Sequence, residues 1–462
     1  MDSKVQDNNK MATAPLGKLM TELAVPTVFA QLVNLLYNMV DRIYVGRIPE
    51  VGHLALAGLG VTFPVIILIS AFAALVGAGG APQAAICMGK KDMKGAERIL
   101  GNCITALCIL AVVLSVFFYA VKEPLLMLFG ASEQTIGYAN SYLGIYLLGT
   151  ISVQIALGLN TFINCQGFAK TGMKTVLIGA VLNIILDPIF IFGFHMGMAG
   201  AALATIIGQI VSGLMVIGYL TRFKTVYLSL RSLRPLPSHI KAIAALGMAP
   251  FFNQMAMMVI QIVMNNTLRY YGAQSHYGSE IPLACAGIIT KVNMIFFSLV
   301  IGLSQGLQPI VSYNYGAGNY ERVREAYLKA VCIATAISTF SFLCFQLVPR
   351  QIIGIFGSGS EEYFHFAEQY FRIFLFFTFL NGLQPITANF FTSIGKAAKG
   401  IFISLTRQII FLLPLIIILP LIFGIEGVMY SAPVADLMAA ALAALFVVRE
   451  LSQMKQLQQA EG

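Results

Sequence analysis

Apolar runs of about 20 residues recur at short intervals along the whole chain, and they set the first limit on its fold. A helix needs roughly 20 mostly apolar residues to cross about 30 Å of hydrocarbon. Twelve such segments are predicted, at 19–45, 54–79, 99–121, 138–164, 174–194, 198–221, 243–270, 283–313, 328–349, 366–393, 400–423 and 427–448. They are too long for strands and do not alternate in polarity, and an open strand edge cannot face lipid. Composition agrees: 58% of residues are apolar and 11% charged. A soluble domain, with about 25% charged residues, has far more polar surface to show water. The expected fold is therefore all-α, a polytopic membrane protein of twelve transmembrane helices. The polar start MDSKVQDNNK lacks a cleavage signature, so the first segment is expected to remain as span one.

The net charge of +9 would suggest a nucleic-acid partner in a soluble chain, but the positions of the charges indicate topology instead. Of 29 Lys and Arg, 22 fall on one side of the predicted spans, six fall on the other, and Lys291 alone is read as lying inside a span. The positive-inside rule puts the 22-residue side, with both termini, in the cytoplasm. Seven cysteines form no CxxC pair and five histidines do not cluster, so neither a disulfide framework nor a metal site is expected.

The chain repeats itself weakly. A shift of 227 residues pairs Gly79 with Gly306, Pro82 with Pro309 and Gly89 with Gly316, and a shift of 228 pairs Tyr142 with Tyr370. Each half holds six spans, an even number, so the halves share one orientation and are related by a pseudo-two-fold along the membrane normal. The expected organisation is a cytoplasmic tail at 1–14, a six-helix bundle at 15–221, a basic linker at 222–241, a second six-helix bundle at 242–450 and a cytoplasmic tail at 451–462.

Two matched halves are the plan of transporters that alternate access by rocking around a site inside or between them, and with no nucleotide-binding domain in the sequence the energy would come from an ion gradient. The nearest approach to a phosphate loop, GFAKTGMKT at 167–175, lacks the required Lys after its second Gly and follows no strand. Acidic residues inside a bilayer are costly and mark function. Three stand out: Asp41, Asp187 and Asp436. Asp187 has Asn183 one turn before it on the same face, and Pro188 after it frees a backbone carbonyl. Such an oxygen-rich patch suits H⁺ or Na⁺ and not a soft metal. Span one carries Asn34, Tyr37 and Asp41 on one face, with Pro26 as a place to bend. Two carboxylates in one dry site repel each other, and proton uptake or Na⁺ binding relieves that. An interfacial pair between Asp41 and Arg42 is the plainer alternative for Asp41. A backbone or Ser431 partner is the plainer one for Asp436. In span seven Gln254, Gln261 and Asn265 share a neutral face, so the ion site is placed in the N-terminal half.

These residues carry a resemblance. AVPTVFAQLVNLLYNMVDRIYVGRI, GLGVTFP, LNIILDPIFIFGFHMGMAGAALAT and GLSQGLQPIVSYNYGAGNYERV occur in the order seen in bacterial members of the multidrug and toxic compound extrusion (MATE) family, and the likeness runs from about residue 15 to 450. The resemblance implies two six-helix bundles around a central cavity and export of drugs or organic cations against H⁺ or Na⁺. It implies a cation site at Asp41, Asn160, Asn183, Asp187 and Thr205, with a hinge at Pro26. Asn34, Tyr37, Gln254, Gln261 and Asn265 are the candidate substrate contacts. No enzyme activity and no cofactor are expected, only the coupling ion. The expected partners are small-molecule drugs or organic cations and the lipid bilayer, with a monomeric chain in the bacterial cytoplasmic membrane. The alternative is a flippase for a lipid-linked saccharide or an exporter of a specific metabolite.

Overall fold

The computed structural model describes residues 10–222, 226, 228–356 and 359–461. Among them every regular element is helical, and each predicted segment follows one helix or a run of consecutive helical elements. Span one is Leu16–Gly46, span two Gly52–Gly89 and span three Met93–Leu128. Span five is Ala169–Gly193, ending in a π-turn at Ile189–Gly193, and span six is Gly197–Arg222. In the second half spans seven to twelve are Pro237–Ala273, Glu280–Gly316, Tyr320–Leu347, Glu361–Ser393, Ala397–Phe423 and Ile425–Glu461.

Span four departs from the predicted single segment. It is two helices, Ile136–Leu148 and Thr150–Cys165, bent by 60° at Gly149. A Cβ at Gly149 would sit 2.4 Å from the Ile206 side chain, so span six presses into the break. Span seven begins at Pro237, inside the predicted linker, because proline is well tolerated in a helix's first turn. Span twelve runs on to Glu461 through the segment expected to be a tail. Two of the 22 basic residues counted on the cytoplasmic side, Lys4 and Lys224, lie outside the described residues.

The linker is fastened rather than loose. Asn102 of span three is fully buried, and its carbonyl accepts from the Leu236 N–H at 2.7 Å. The Thr105 hydroxyl donates to the Leu233 carbonyl at 2.6 Å. The start of the chain crosses to the other half: Arg322 donates to the carbonyls of Met11 and Ala14, at 3.1 and 2.5 Å, and Asn314 donates to Met11 at 3.1 Å.

The two halves touch on one side only. A large apolar core on the linker side joins residues of both, from Leu23, Val76 and Phe162 to Leu303, Val311 and Phe391. On the opposite side the core splits in two. One part lies wholly in the N-terminal half around Ile69, Phe118 and Tyr142, and the other wholly in the C-terminal half around Ile289, Phe366 and Tyr370.

Glycines make the joint. Without side chains, helix backbones approach closely. A Cβ on Gly302 or Gly306 of span eight would fall 2.4 Å from the Cα of Val28 or Ala24 in span one. One on Gly79 of span two would fall 2.1 Å from the Ile243 carbonyl oxygen, and one on Gly247 1.8 Å from that of Leu75. At the helix ends the contact is reciprocal: Gly89 meets Tyr313, and Gly316 meets Ile86. Residues 86 and 313, like 89 and 316, are 227 apart, so the sequence repeat appears here as a two-fold contact. Above this joint the faces part. A Cβ at Gly60 or Gly287 would meet nothing within 4 Å, and Leu36, Met257 and Met294 are exposed.

Candidate functional site

Span one, a continuous helix through Pro26, packs along span five of its own bundle. Pro26, inside the helix, has no N–H for the carbonyl four residues before it. Fifteen residues further on, Asp41 is buried at 7% exposure in an otherwise half-open stretch. Asp187 is completely buried near the end of the regular helix of span five, just before Pro188 and the π-turn. The two carboxyls face each other within hydrogen-bonding reach. Arg42 is turned away and lies over the Phe63 ring at 4.9 Å, so the Asp41–Arg42 pair considered from the sequence is not the arrangement found.

Asn183 completes the patch. Its amide donates to the Thr205 hydroxyl at 3.2 Å and lies 3.5 Å from Asp187 Oδ1. Thr205 in turn donates to the Ala201 carbonyl at 3.0 Å, which leaves its oxygen as an acceptor toward the site. Asp41 Oδ1, Asn183 Oδ1 and Asp187 Oδ2 are buried with no donor to satisfy them. An ionised carboxylate is an acceptor only. Two of them facing each other among further acceptors can be bridged only by an added proton or cation.

A small cavity of about 20 Å³ adjoins this cluster, lined by Asn34, Tyr37, Asn183, Thr205, Gln209 and Ser212 among others. That is room for roughly one water-sized occupant. Asn34 and Tyr37, read from sequence as substrate contacts, thus line the inside of the N-terminal bundle. Gln209 and Ser212 were not singled out from sequence, although a Gln in the middle of an apolar span was the available signal.

The remaining candidates lie elsewhere. The Asn160 amide donates to the Gly172 carbonyl at 3.2 Å and lies 3.5 Å from the Thr175 hydroxyl, so it joins spans four and five away from the two carboxyls. Gln261 donates to Asn265 at 3.0 Å on an exposed face of span seven, and Gln254 is half-buried on the same helix.

Asp436 has a different partner from those considered. Ser431 donates to the Val428 carbonyl at 2.6 Å, away from it. Arg407 Nε lies 2.6 Å from Asp436 Oδ1, and Asn381 donates to Oδ2 at 3.0 Å. Arg407 belongs to a π-helical turn, Thr406–Leu412, inside span eleven. Arg407, one of the 22 basic residues counted on the cytoplasmic side, instead lies within span eleven, where its charge is stable because a carboxylate is there to meet it. Lys291 is therefore not alone within the spans. It is exposed, on the face of span eight that continues, three turns on, to Gly302.

Two matched six-helix bundles, joined on one side, parted on the other and holding a buried acidic pair, define a polytopic membrane transport protein of the two-bundle class. The MatE family model matches residues 26–189 and 248–418, once in each half, and the chain belongs to that family. It is 26% identical over 435 residues to the multidrug export protein MepA of Staphylococcus haemolyticus, covering 94% of this chain and 93% of that one. It is 23% identical to the MepA of a Staphylococcus aureus strain over 436 residues, 94% of each. Among solved structures, MATE in the bent conformation superposes with a TM-score of 0.90 at 24% identity, over 98% of this chain and 99% of that one. The outward-facing conformation of a multidrug resistance MATE family transporter gives 0.89 at 24% identity, over 97% and 98%.

Proposed function

We propose that this chain is a secondary exporter of drugs or organic cations in a bacterial cytoplasmic membrane, working by antiport against H⁺ or Na⁺. The observation that carries the reading is the buried Asp41–Asp187 pair, whose acceptor oxygens lack donors. The relatives named as multidrug export proteins support the substrate class. With the basic side and both termini in the cytoplasm, the glycine joint closes the inner end and the parted faces open outward. An ion from outside bridges Asp41 and Asp187, and Asn183 and Thr205 fix the geometry. With the repulsion gone, span one bends at Pro26, the N-terminal bundle tightens and the substrate is released. Asn34, Tyr37, Gln254, Gln261 and Asn265 face the moving elements as substrate or relay contacts.

One charge crossing 100 mV is worth about 2.3 kcal/mol, and a tenfold gradient costs about 1.4 kcal/mol. One coupled ion therefore sustains a gradient of more than tenfold for a neutral substrate. The test is dye export from proteoliposomes with a pH or Na⁺ gradient imposed separately and no nucleotide. Asp41→Asn and Asp187→Asn should each abolish gradient-driven export, and full export by both would refute the assignment. The alternative of a flippase or a metabolite exporter draws on Lys291, a fixed positive charge on the parted face. Competition of dye export by an anionic lipid-linked saccharide analogue, lost in Lys291→Gln, would favour it.

A further inference from the structure

The two bundles repeat the same turns and close contacts at matched positions. Gly167 and Gly395 both hold a positive φ before spans five and eleven, and Gly197 and Gly424 both do so before spans six and twelve. The neighbours match too. A Cβ on Gly172 would meet Asn164 and Asn160, and one on Gly400 would meet Thr392 and Ala388, each 228 residues on. Gly200 abuts Phe190 as Gly427 abuts Leu419.

This register places the N-terminal cavity against one cluster in the C-terminal bundle. Ala156, Gly179 and Ala180, whose small side chains leave room, correspond to Gln384, Arg407 and Gln408. At the spacing of 227 that pairs Gly197 with Gly424, Gln209 of the same cavity corresponds to Asp436. What is a cavity beside an acidic pair in one bundle is filled in the other by a guanidinium on a carboxylate. The fill is complete: Asp436 is 2% exposed and Arg407 8%, Asn381 takes the second carboxylate oxygen, and the Phe297 ring lies 5.8 Å from the guanidinium carbon.

We propose that Arg407 is a built-in cation: it holds, within the C-terminal bundle, a latent cation site at Asp436 and Asn381 that would otherwise take an ion from solution. The C-terminal bundle then stays in one charge state through the cycle, and only the N-terminal bundle loads and unloads. This rests on the reading of Asp41 and Asp187 as the ion site. Arg407 acts as a positioning residue in it and touches no substrate. A guanidinium suits the task because it stays charged at every working pH and offers several donors in a fixed plane.

The experiment measures cation occupancy of the full-length protein in detergent, as radiolabelled Na⁺ bound and as protons taken up on a downward pH step. Wild type should bind cation at one site, and Asp41→Asn/Asp187→Asn should bind none. Binding that survives in that double variant and vanishes when Asp436→Asn is added would overturn the proposal, because the C-terminal site would then load in the presence of Arg407. In the same background Arg407→Gln should restore a binding site that Asp436→Asn removes. A folded Arg407→Gln protein, judged by its thermal transition, that gains no site would also overturn it. Unchanged wild-type binding in both single variants, Asp41→Asn and Asp187→Asn, would instead refute the N-terminal reading, so the two failures are distinct. Should Arg407→Gln not fold, the swap Arg407→Asp/Asp436→Arg serves: it should export with unaltered ion-to-drug ratio, and a changed ratio counts against a built-in cation.

Discussion

Replacing Gly302 by Ala should shift the resting conformation of the protein. The new Cβ would lie 2.4 Å from Val28 Cα and 2.7 Å from Val28 N, both backbone atoms that no rotamer change can move. Carbon atoms pack at about 3.5–4.0 Å, so spans one and eight must separate by more than about 1 Å there. The strain falls only on the conformation in which these helices touch. Overpacking of this kind costs about 1–3 kcal/mol, and 1.4 kcal/mol is a factor of about ten in an equilibrium. The ratio of joined to separated states should therefore fall by roughly 5- to 150-fold. Spin labels on the exposed residues Lys18 of span one and Lys329 of span nine, with distances measured by double electron–electron resonance, would read the change as a longer-distance population. Gly287→Ala on the same helix is the control, because its Cβ enters open space. A distance distribution unchanged by Gly302→Ala, or changed equally by Gly287→Ala, would refute the account of the joint.

Three further outcomes follow from the same geometry. Pro26→Ala restores a helix N–H and should leave substrate binding intact while slowing gradient-driven export, measured as initial dye efflux; an unchanged rate would remove the hinge. Thr205→Val takes away the acceptor held by the Ala201 and Asn183 contacts, and should weaken cation binding by up to about tenfold, since a hydrogen bond contributes about 0.5–1.5 kcal/mol. Asn102→Leu strands the linker N–H of Leu236 and should lower the thermal transition by an amount equivalent to about 1–3 kcal/mol, with ion-to-drug coupling unchanged.

The spans were legible before any fold was known, because hydrocarbon thickness fixes how long an apolar run must be, and the Gly79/Gly306 and Gly89/Gly316 register already held the two-fold relation. The sequence also put Asp187 and Asn183 together, since residues four apart share a helix face. What it left open required contact between separate helices. That Asp41 meets Asp187 and not Arg42 depends on how span one rotates against span five. That Arg407 neutralises Asp436 depends on spans eleven and twelve, and no local pattern links residues 29 positions apart on separate helices. The bend at Gly149 arises from pressure by Ile206, a residue 57 positions away. Local spacing and bilayer thickness therefore fixed the number of helices and the likeness of the halves. Tertiary packing alone decided which buried charges are paired, which oxygens are left for an ion, and which end of the molecule is closed.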